Sequence, residues 1–340
     1  MLSNFTCIDV NSGEPTTQAE CGFGQVYTPS DTLHPIPGYN FNISYADGEL
    51  LNGVMAYENL SIAGIAVSQQ EIALVDYAEW FGDGTSSGLI GLAYSSLTNA
   101  YTGTNAANDQ PGGNVPYSDL FNTMATQNLT AASFSVALNR PGSRSSSGGY
   151  LAFGGIPDIK HDPYFVRTPI TVMPVEGAYG QSIYTFYSIT VQGWAIGPDK
   201  TAQFNVTPRS NAIKRPVLDN GTSAIVDSGT TLVYAPDDVV AALAAAFNPP
   251  ATFSNDYGIY LVNCSAAVPV FGVDISNKIF YINPQDLVVA DPSGVCYLGV
   301  QSNEGSDMSI LGDTWLRNIL AVFDVGAGEM RFSAREFTVL

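Results

Sequence analysis

Ala224-Ile225-Val226-Asp227-Ser228-Gly229-Thr230-Thr231-Leu232 runs from three apolar residues into an aspartate, a Ser-Gly turn and two hydroxyls. A β-branched lead-in of this kind reads as a buried strand. Gly229 permits a sharp turn where a Cβ would collide. The strand thus delivers one carboxylate, at a fixed position, to the edge of a sheet. Ser228 and Thr230 supply short side-chain donors that can hold that carboxylate in one orientation. Asp227 is the candidate catalytic residue of the chain.

The rest of the sequence fits a mostly β setting. Short β-branched and aromatic runs at 41–45, 54–57, 184–191 and 278–282 are broken by Gly, Pro, Asn and Ser, the pattern of an all-β protein. Two helices are expected. One covers 237–247, where Pro236 suits the first helical position and Asp237 and Asp238 face the positive end of the dipole. The other covers 118–125. With 340 residues the chain exceeds what a single core supports, so two lobes are expected, at 1–170 and 171–340.

Composition removes several classes of partner. Lys+Arg number 12 against 31 Asp+Glu, for a formal charge of −19. That charge repels phosphates and anionic lipid, so neither nucleic acid nor a membrane surface is an expected partner. The longest apolar run, 239–247, is too short to cross a bilayer. Charged residues make up only 13% of the chain, and so few bases limit self-repulsion once carboxylates protonate, which suits an acidic medium. His34 and His161 lie far from any cysteine, and no pair of cysteines shows CxxC spacing. No metal site and no cofactor is expected.

Cys7, Cys21, Cys264 and Cys296 permit three pairings. Joining Cys7 to Cys21 and Cys264 to Cys296 is the economical one, and the shorter loop stabilises by roughly 3 kcal/mol. Seven Asn-x-Ser/Thr sequons, at Asn4, Asn42, Asn59, Asn128, Asn205, Asn220 and Asn263, join the cysteines in pointing to a secreted glycoprotein. The start, Met1-Leu2-Ser3-Asn4-Phe5, shows neither a basic region nor an apolar core of a signal peptide. Either export is unconventional or the natural start lies further upstream.

Two segments read alike: Gly88-Leu89-Ile90-Gly91-Leu92 and Ser309-Ile310-Leu311-Gly312-Asp313. They imply an internal duplication with one copy per lobe. In the second copy Asp227 precedes Ile310 by 83 residues; the same step back from Leu89 reaches Thr6. No apolar-apolar-Asp-Ser/Thr-Gly stands there. Asp9, Asp31 and Asp83 each lack part of the pattern. The missing copy is expected just before Met1.

These motifs together resemble the pepsin-like aspartic endopeptidases over essentially the whole chain, from Cys7 onward. Ile43-Ser44-Tyr45-Ala46-Asp47-Gly48 followed by Gly53-Val54-Met55-Ala56-Tyr57 is similar to that family's flap hairpin. The stretches at 86–94, 148–156 and 310–324 resemble the family's Asp-Gly-Ile-Leu-Gly-Leu, Gly-rich and closing Ile-Leu-Gly-Asp segments, with Ser87 replacing an aspartate. The resemblance implies an all-β, bilobal pepsin-like fold with a few short helices and an incomplete first lobe. It implies an acid peptidase whose substrates are extended polypeptides lying between Tyr45, Asp47 and Gly48 on one side and Gly229, Thr230 and Thr231 on the other. A monomer, secreted or vacuolar, is implied as well. The 264–296 spacing fits the family's second-lobe bridge.

What the resemblance lacks is the first Asp-Thr-Gly loop and the tryptophan after it, so Tyr45 is expected to lose an aromatic support. Two close carboxylates share one proton and split their pKa values, as in pepsin. The ionised one activates water while its protonated partner donates to the carbonyl. A lone, solvated aspartate titrates near 3.9, a weak base. Little or no peptidase activity is therefore expected of residues 1–340, along with unpaired edges that invite aggregation. One alternative is a non-catalytic relative that binds peptides or proteins. Another is serine hydrolysis, since Gly84-Thr85-Ser86-Ser87-Gly88 formally matches G-x-S-x-G with His161 downstream, although an all-β setting does not supply the required strand-turn-helix.

Overall fold

The computed structural model describes residues 1–2, 4–140, 147–174, 182–197 and 221–335. It is mostly β, with short helices only. The chain divides into two compact units: Met1–Thr130 with Met173–Phe186, and Ala131–Val172 with Tyr187–Leu340. The division differs from a cut at 170. Strands Ser133–Leu138, Gly149–Phe153 and Val166–Pro169 share a five-stranded sheet with Ile319–Asp324 and Glu329–Ala334. Pairing across nearly two hundred residues leaves no local signal, which is why the sequence placed 131–170 with the first lobe.

The first unit is built on a long hairpin. His34–Ser44 pairs with Leu50–Ile62, which pairs in turn with Ile65–Glu79. Thr6–Ile8 joins the far edge of Ile65–Glu79 in parallel, covering only Tyr77, Ala78 and Glu79. Cys7 and Cys21 are bridged with Cα atoms 5.9 Å apart, and both are buried with Phe5, Phe41, Leu51 and Met55 in this unit's core. The expected strand at 54–57 lies inside a longer one, and that at 41–45 is the end of a longer one that stops at Ser44, with Tyr45 just past it. The short helix is Leu120–Thr126, not 118–125, because Asp119 caps it: its Oδ1 accepts from Asn122 N at 3.0 Å.

Glu58 ties the loop at 27–32 to the strand Leu50–Ile62. Its carboxylate accepts from the hydroxyls of Tyr27, Ser30 and Thr32 and from Asn59 N. Its covering raises the pKa, but these four donors together outweigh that and hold it at about 2. The carboxylate lies under its partners (3% exposed) yet close to the surface, so screening trims its worth to ~1–2 kcal/mol. With the folded pKa depressed, that stability is present above the ordinary glutamate value and fades as pH falls toward 2. Glu58→Gln should lower the urea midpoint at pH 7 and lower it much less at pH 2.5; equal losses at both would rule out this account.

In the second unit the helix Asp237–Ala246 forms as expected and buries Val239, Val240, Leu243 and Ala244. Those four share one face through their i, i+4 spacing, with Phe247 closing the helix in an extended conformation. Trp315, Phe280 and Phe332 pack edge to face with centroids 5.2–6.3 Å apart. Cys264 and Cys296 are bridged with Cα atoms 5.3 Å apart. Arg140 donates to both oxygens of Asp286 at 2.8–3.0 Å, and Asn318 completes the network. No helix among the described residues is long and apolar enough to cross a membrane.

Candidate active site

Asp227 follows directly on the strand Thr222–Val226, which pairs in parallel with Met308–Leu311 so that Val226 faces Leu311. The chain then crosses the end of Met308–Leu311 and returns along its other side as Val233–Ala235, antiparallel to it. The loop 227–232 is therefore draped over Gly312, the residue that follows the central strand. Hydrogen bonds fasten the crossing: Asp227 N donates to Leu311 O (3.2 Å), Asp313 N to Thr230 O (2.8 Å) and Thr314 N to Thr231 O (3.0 Å). A further bond runs from Thr314 Oγ1 to Thr231 O at 3.1 Å.

Within the loop the carboxylate is held at both oxygens. Gly229 N donates to Asp227 Oδ1 at 2.8 Å and Thr230 Oγ1 to Oδ2 at 2.7 Å. Such donors fix its orientation. Gly229 serves closeness, since a Cβ there would stand 3.2 Å from Asp227 Oδ1. Of the two expected hydroxyl anchors only Thr230 acts. Ser228 is exposed and makes no side-chain bond to Asp227 among the described residues.

A second carboxyl adjoins this loop that sequence reasoning did not single out. Asp313 opens the short helix Asp313–Leu316. Burial pushes its pKa up to about 6; the Arg317 guanidinium, 3.9 Å away, pulls it down, and the charge of Asp227 adds to the rise. Its Oδ1 is buried with no hydrogen-bond partner among the described residues. No hydrogen bond joins the two carboxyls among the described residues, so Asp313 is a charged neighbour of Asp227 and not a proton-sharing twin. The signal for it was the aspartate ending Ile310-Leu311-Gly312-Asp313.

The hairpin of the first unit has the expected tip. Tyr45 N donates to Glu49 O at 2.8 Å, Gly48 N to Tyr45 O at 3.1 Å, and Gly48 takes φ +94°, a backbone that only glycine adopts easily. Asp47 Oδ1 accepts from Glu49 N at 3.1 Å. Tyr45 does not lose its aromatic support: Trp80 stands edge-on to it with centroids 5.7 Å apart, and Phe23 stacks on Trp80 at 6.2 Å. Trp80 follows the strand Ile65–Glu79, far along the chain from where the motif comparison placed the supporting tryptophan. Burial raises the Tyr45 pKa, helped by the charges of Glu49 and Asp47.

The 84–88 stretch fails as a nucleophile elbow. It is a loop with neither a strand directly before it nor a helix directly after it, and Ser86 is tied to Asp83 through its backbone and its hydroxyl. Among the described residues no group of three or more His, Cys, Asp or Glu is placed to hold a metal ion.

An aspartate presented from a strand-end Asp-Ser-Gly-Thr loop in a mostly β chain defines a carboxylate-centred hydrolase class. The model of the eukaryotic aspartyl proteases matches residues 4–335. A probable aspartic-type endopeptidase of Aspergillus fumigatus is 42% identical over 337 residues, covering 97% of this chain and 72% of the relative. Penicillopepsin-3 of Penicillium janthinellum is 28% identical over 312 residues, 91% of this chain and 68% of the relative. The crystal structure of an aspartic proteinase from Irpex lacteus superposes with a TM-score of 0.68 at 17% identity, covering 99% of this chain and 89% of that one; it shows the fold. The chain belongs to the eukaryotic aspartyl protease family.

Proposed function

We propose that this chain is an aspartic-type endopeptidase by descent, acting on extended polypeptides in acidic medium, with Asp227 as one of the two acids that such hydrolysis takes. The observation that carries this is the two-point clamp on Asp227 by Gly229 N and Thr230 Oγ1. Held in this orientation, Asp227 takes one of the two acid–base roles of the hydrolysis; the other needs a second acid. Residues 1–340 contain one Asp-Ser/Thr-Gly loop, so they carry out little or no cleavage alone. Tyr45, Asp47 and Gly48 of the first unit and Gly229, Thr230 and Thr231 of the second are assigned to substrate binding. The protein is read as a secreted monomer. Asn4, Asn59, Asn128 and Asn263 are exposed as sequon sites should be, Asn42 is half-buried with its amide donating to Asp109, and Asn205 and Asn220 lie outside the described residues.

Cleavage of an unfolded protein substrate at acidic pH, by the purified chain and by Asp227→Asn, tests the reading. We expect both to be close to inactive. Robust cleavage that the substitution abolishes would show that the chain supplies its own second acid. A second reading, a non-catalytic peptide-binding relative, is favoured by the absence of any hydrogen bond between Asp227 and Asp313 among the described residues. Peptide binding without cleavage, even after a second aspartate loop is supplied, would select it.

A further inference from the structure

The hairpin that carries Tyr45, Asp47 and Gly48 is held from the side as well as by its own pairing. Its outer strand His34–Ser44 pairs with Ala100–Thr102, where Asn40 stands opposite Tyr101, and Asn42 N donates to Asn99 O at 3.1 Å. The chain then turns back over the same strand. Asn105 accepts from Ala107 N, a short helical turn covers Ala106–Asn108, and Asp109 N donates to Ala106 O at 3.1 Å. This strap ends in a carboxylate with both oxygens taken. Asn40 Nδ2 donates to Asp109 Oδ1 at 3.2 Å and Asn42 Nδ2 to Oδ2 at 3.0 Å. Alternate residues of a strand share a face, so one carboxylate reaches both amides. The tip begins three residues further on, at Tyr45.

Within the first unit only neutral donors meet this carboxylate, because the unit contains no Lys or Arg. Asn40 is buried and Asp109 half-buried, so water competes weakly for the two bonds. From the neighbouring strand Tyr101 feels the same charge, which adds to burial in raising its pKa. Two further carboxyls stand at the tip: Glu49, buried, accepts from Phe81 N at 2.7 Å, and Asp47 accepts from Glu49 N at 3.1 Å. An ionised carboxylate offers acceptors only and suits two N–H donors. Once protonated it carries hydrogen on one oxygen, which then faces a donor. The bond that remains loses its charge assistance, roughly half its strength.

We propose that Asp109 is a positioning residue for the hairpin tip: ionised, it pins the outer strand through Asn40 and Asn42 and steadies Tyr45, Asp47 and Gly48, and on taking up a proton it frees them to move. The inference rests on the reading above that this tip meets the substrate, and adds that acid, the medium of that reading, loosens it for entry. A strap that served stability alone would hold the tip equally at any pH. Because the strap joins the outer strand before the tip begins, the motion it controls is confined to the end of the hairpin, beyond Asn42.

Hydrogen exchange of the whole chain at pH 7 and pH 3.5 tests this, read as protection relative to the intrinsic rate at each pH. Residues 43–50 are compared with 54–57 of the same hairpin, away from the tip. In the parent we expect protection of 43–50 to fall about tenfold in acid while 54–57 holds. Asp109→Asn puts a donor where the carboxylate had an acceptor, so its tip should exchange fast at both pH values. Asn42→Ser removes one of the two donors and serves as a second, milder variant, with a looser tip at pH 7 and a smaller fall. Glu49→Gln keeps an acceptor for Phe81 N and should retain the parent's fall. Equal protection of the parent's tip at both pH values would overturn the proposal, as would a fall shared by 54–57. So would a parent-like fall in Asp109→Asn, which would assign the motion to Asp47 or Glu49. Cleavage is not read, so the exchange decides the strap and the assay above decides the enzyme.

Discussion

Gly312→Ala should destabilise the second unit by about 4 kcal/mol or more, enough to leave it largely unfolded. The backbone of Gly312 is extended, at φ −86° and ψ −163°, a region open to any residue. Conformational freedom is therefore not what requires glycine here. The requirement is contact: a Cβ would enter the carbonyl oxygens of Thr230 and Leu232, which are backbone atoms of the loop that presents Asp227. Those atoms cannot yield without breaking the bonds from Asp313 N and Thr314 N that hold the loop. Gly91→Ala, in the matching position of the first unit, should change stability by less than ~0.5 kcal/mol, because nothing lies within 4 Å of the added atom. Urea unfolding followed by Trp194 and Trp315, both buried in the second unit, reads the first variant; far-UV circular dichroism reads the second. Similar losses in the two variants would mean that the glycines share some other cause.

The contrast between these glycines marks the boundary of what the sequence made legible. The two donors that clamp Asp227 were readable because they are local, a glycine and a hydroxyl within four residues, whereas the bonds from 311–314 that hold the loop were not. The helix Asp237–Ala246 and the two bridges were readable for the same reason, through a capping proline, paired acids and cysteine spacing. Similar local text at 88–92 and 309–313 takes different forms, since a strand forms only when a neighbour pairs with it. Met308–Leu311 has neighbours on both sides and Leu89-Ile90 has none. Trp80 supporting Tyr45, and the pairing of Ser133–Leu138 with Ile319–Asp324, are contacts between distant stretches. No local pattern announces them. Asp313 was visible as a letter in a motif, but its chemistry comes from burial and from the nearby charge of Asp227, which only three-dimensional packing reveals.

Asp313→Asn should make the second unit about 1–2 kcal/mol more stable at pH 7 while changing it little at pH 3.5. Asp313 ionises at about 6 in the folded chain because burial opposes its charge and Asp227 repels it, against the pull of Arg317. In the unfolded chain it ionises near the ordinary aspartate value of 3.8. The folded state therefore binds this proton more tightly, and stability falls as pH rises from about 4 to about 6, then levels. The gap between the two values corresponds to about 3 kcal/mol. Asparagine keeps the shape and removes the titration, so its urea midpoint should lose this slope between pH 4 and 6. Arg317, left without its acid, is already mostly covered, and its desolvation offsets part of the gain. Glu58 works in the opposite direction at lower pH, since its donors hold it ionised down to about 2. The contribution of Glu58 is gained as pH rises and that of Asp313 is lost as pH rises, so the two overlap most near pH 4. An Asp313→Asn chain with the same pH slope as the parent would show that the acid preference resides elsewhere.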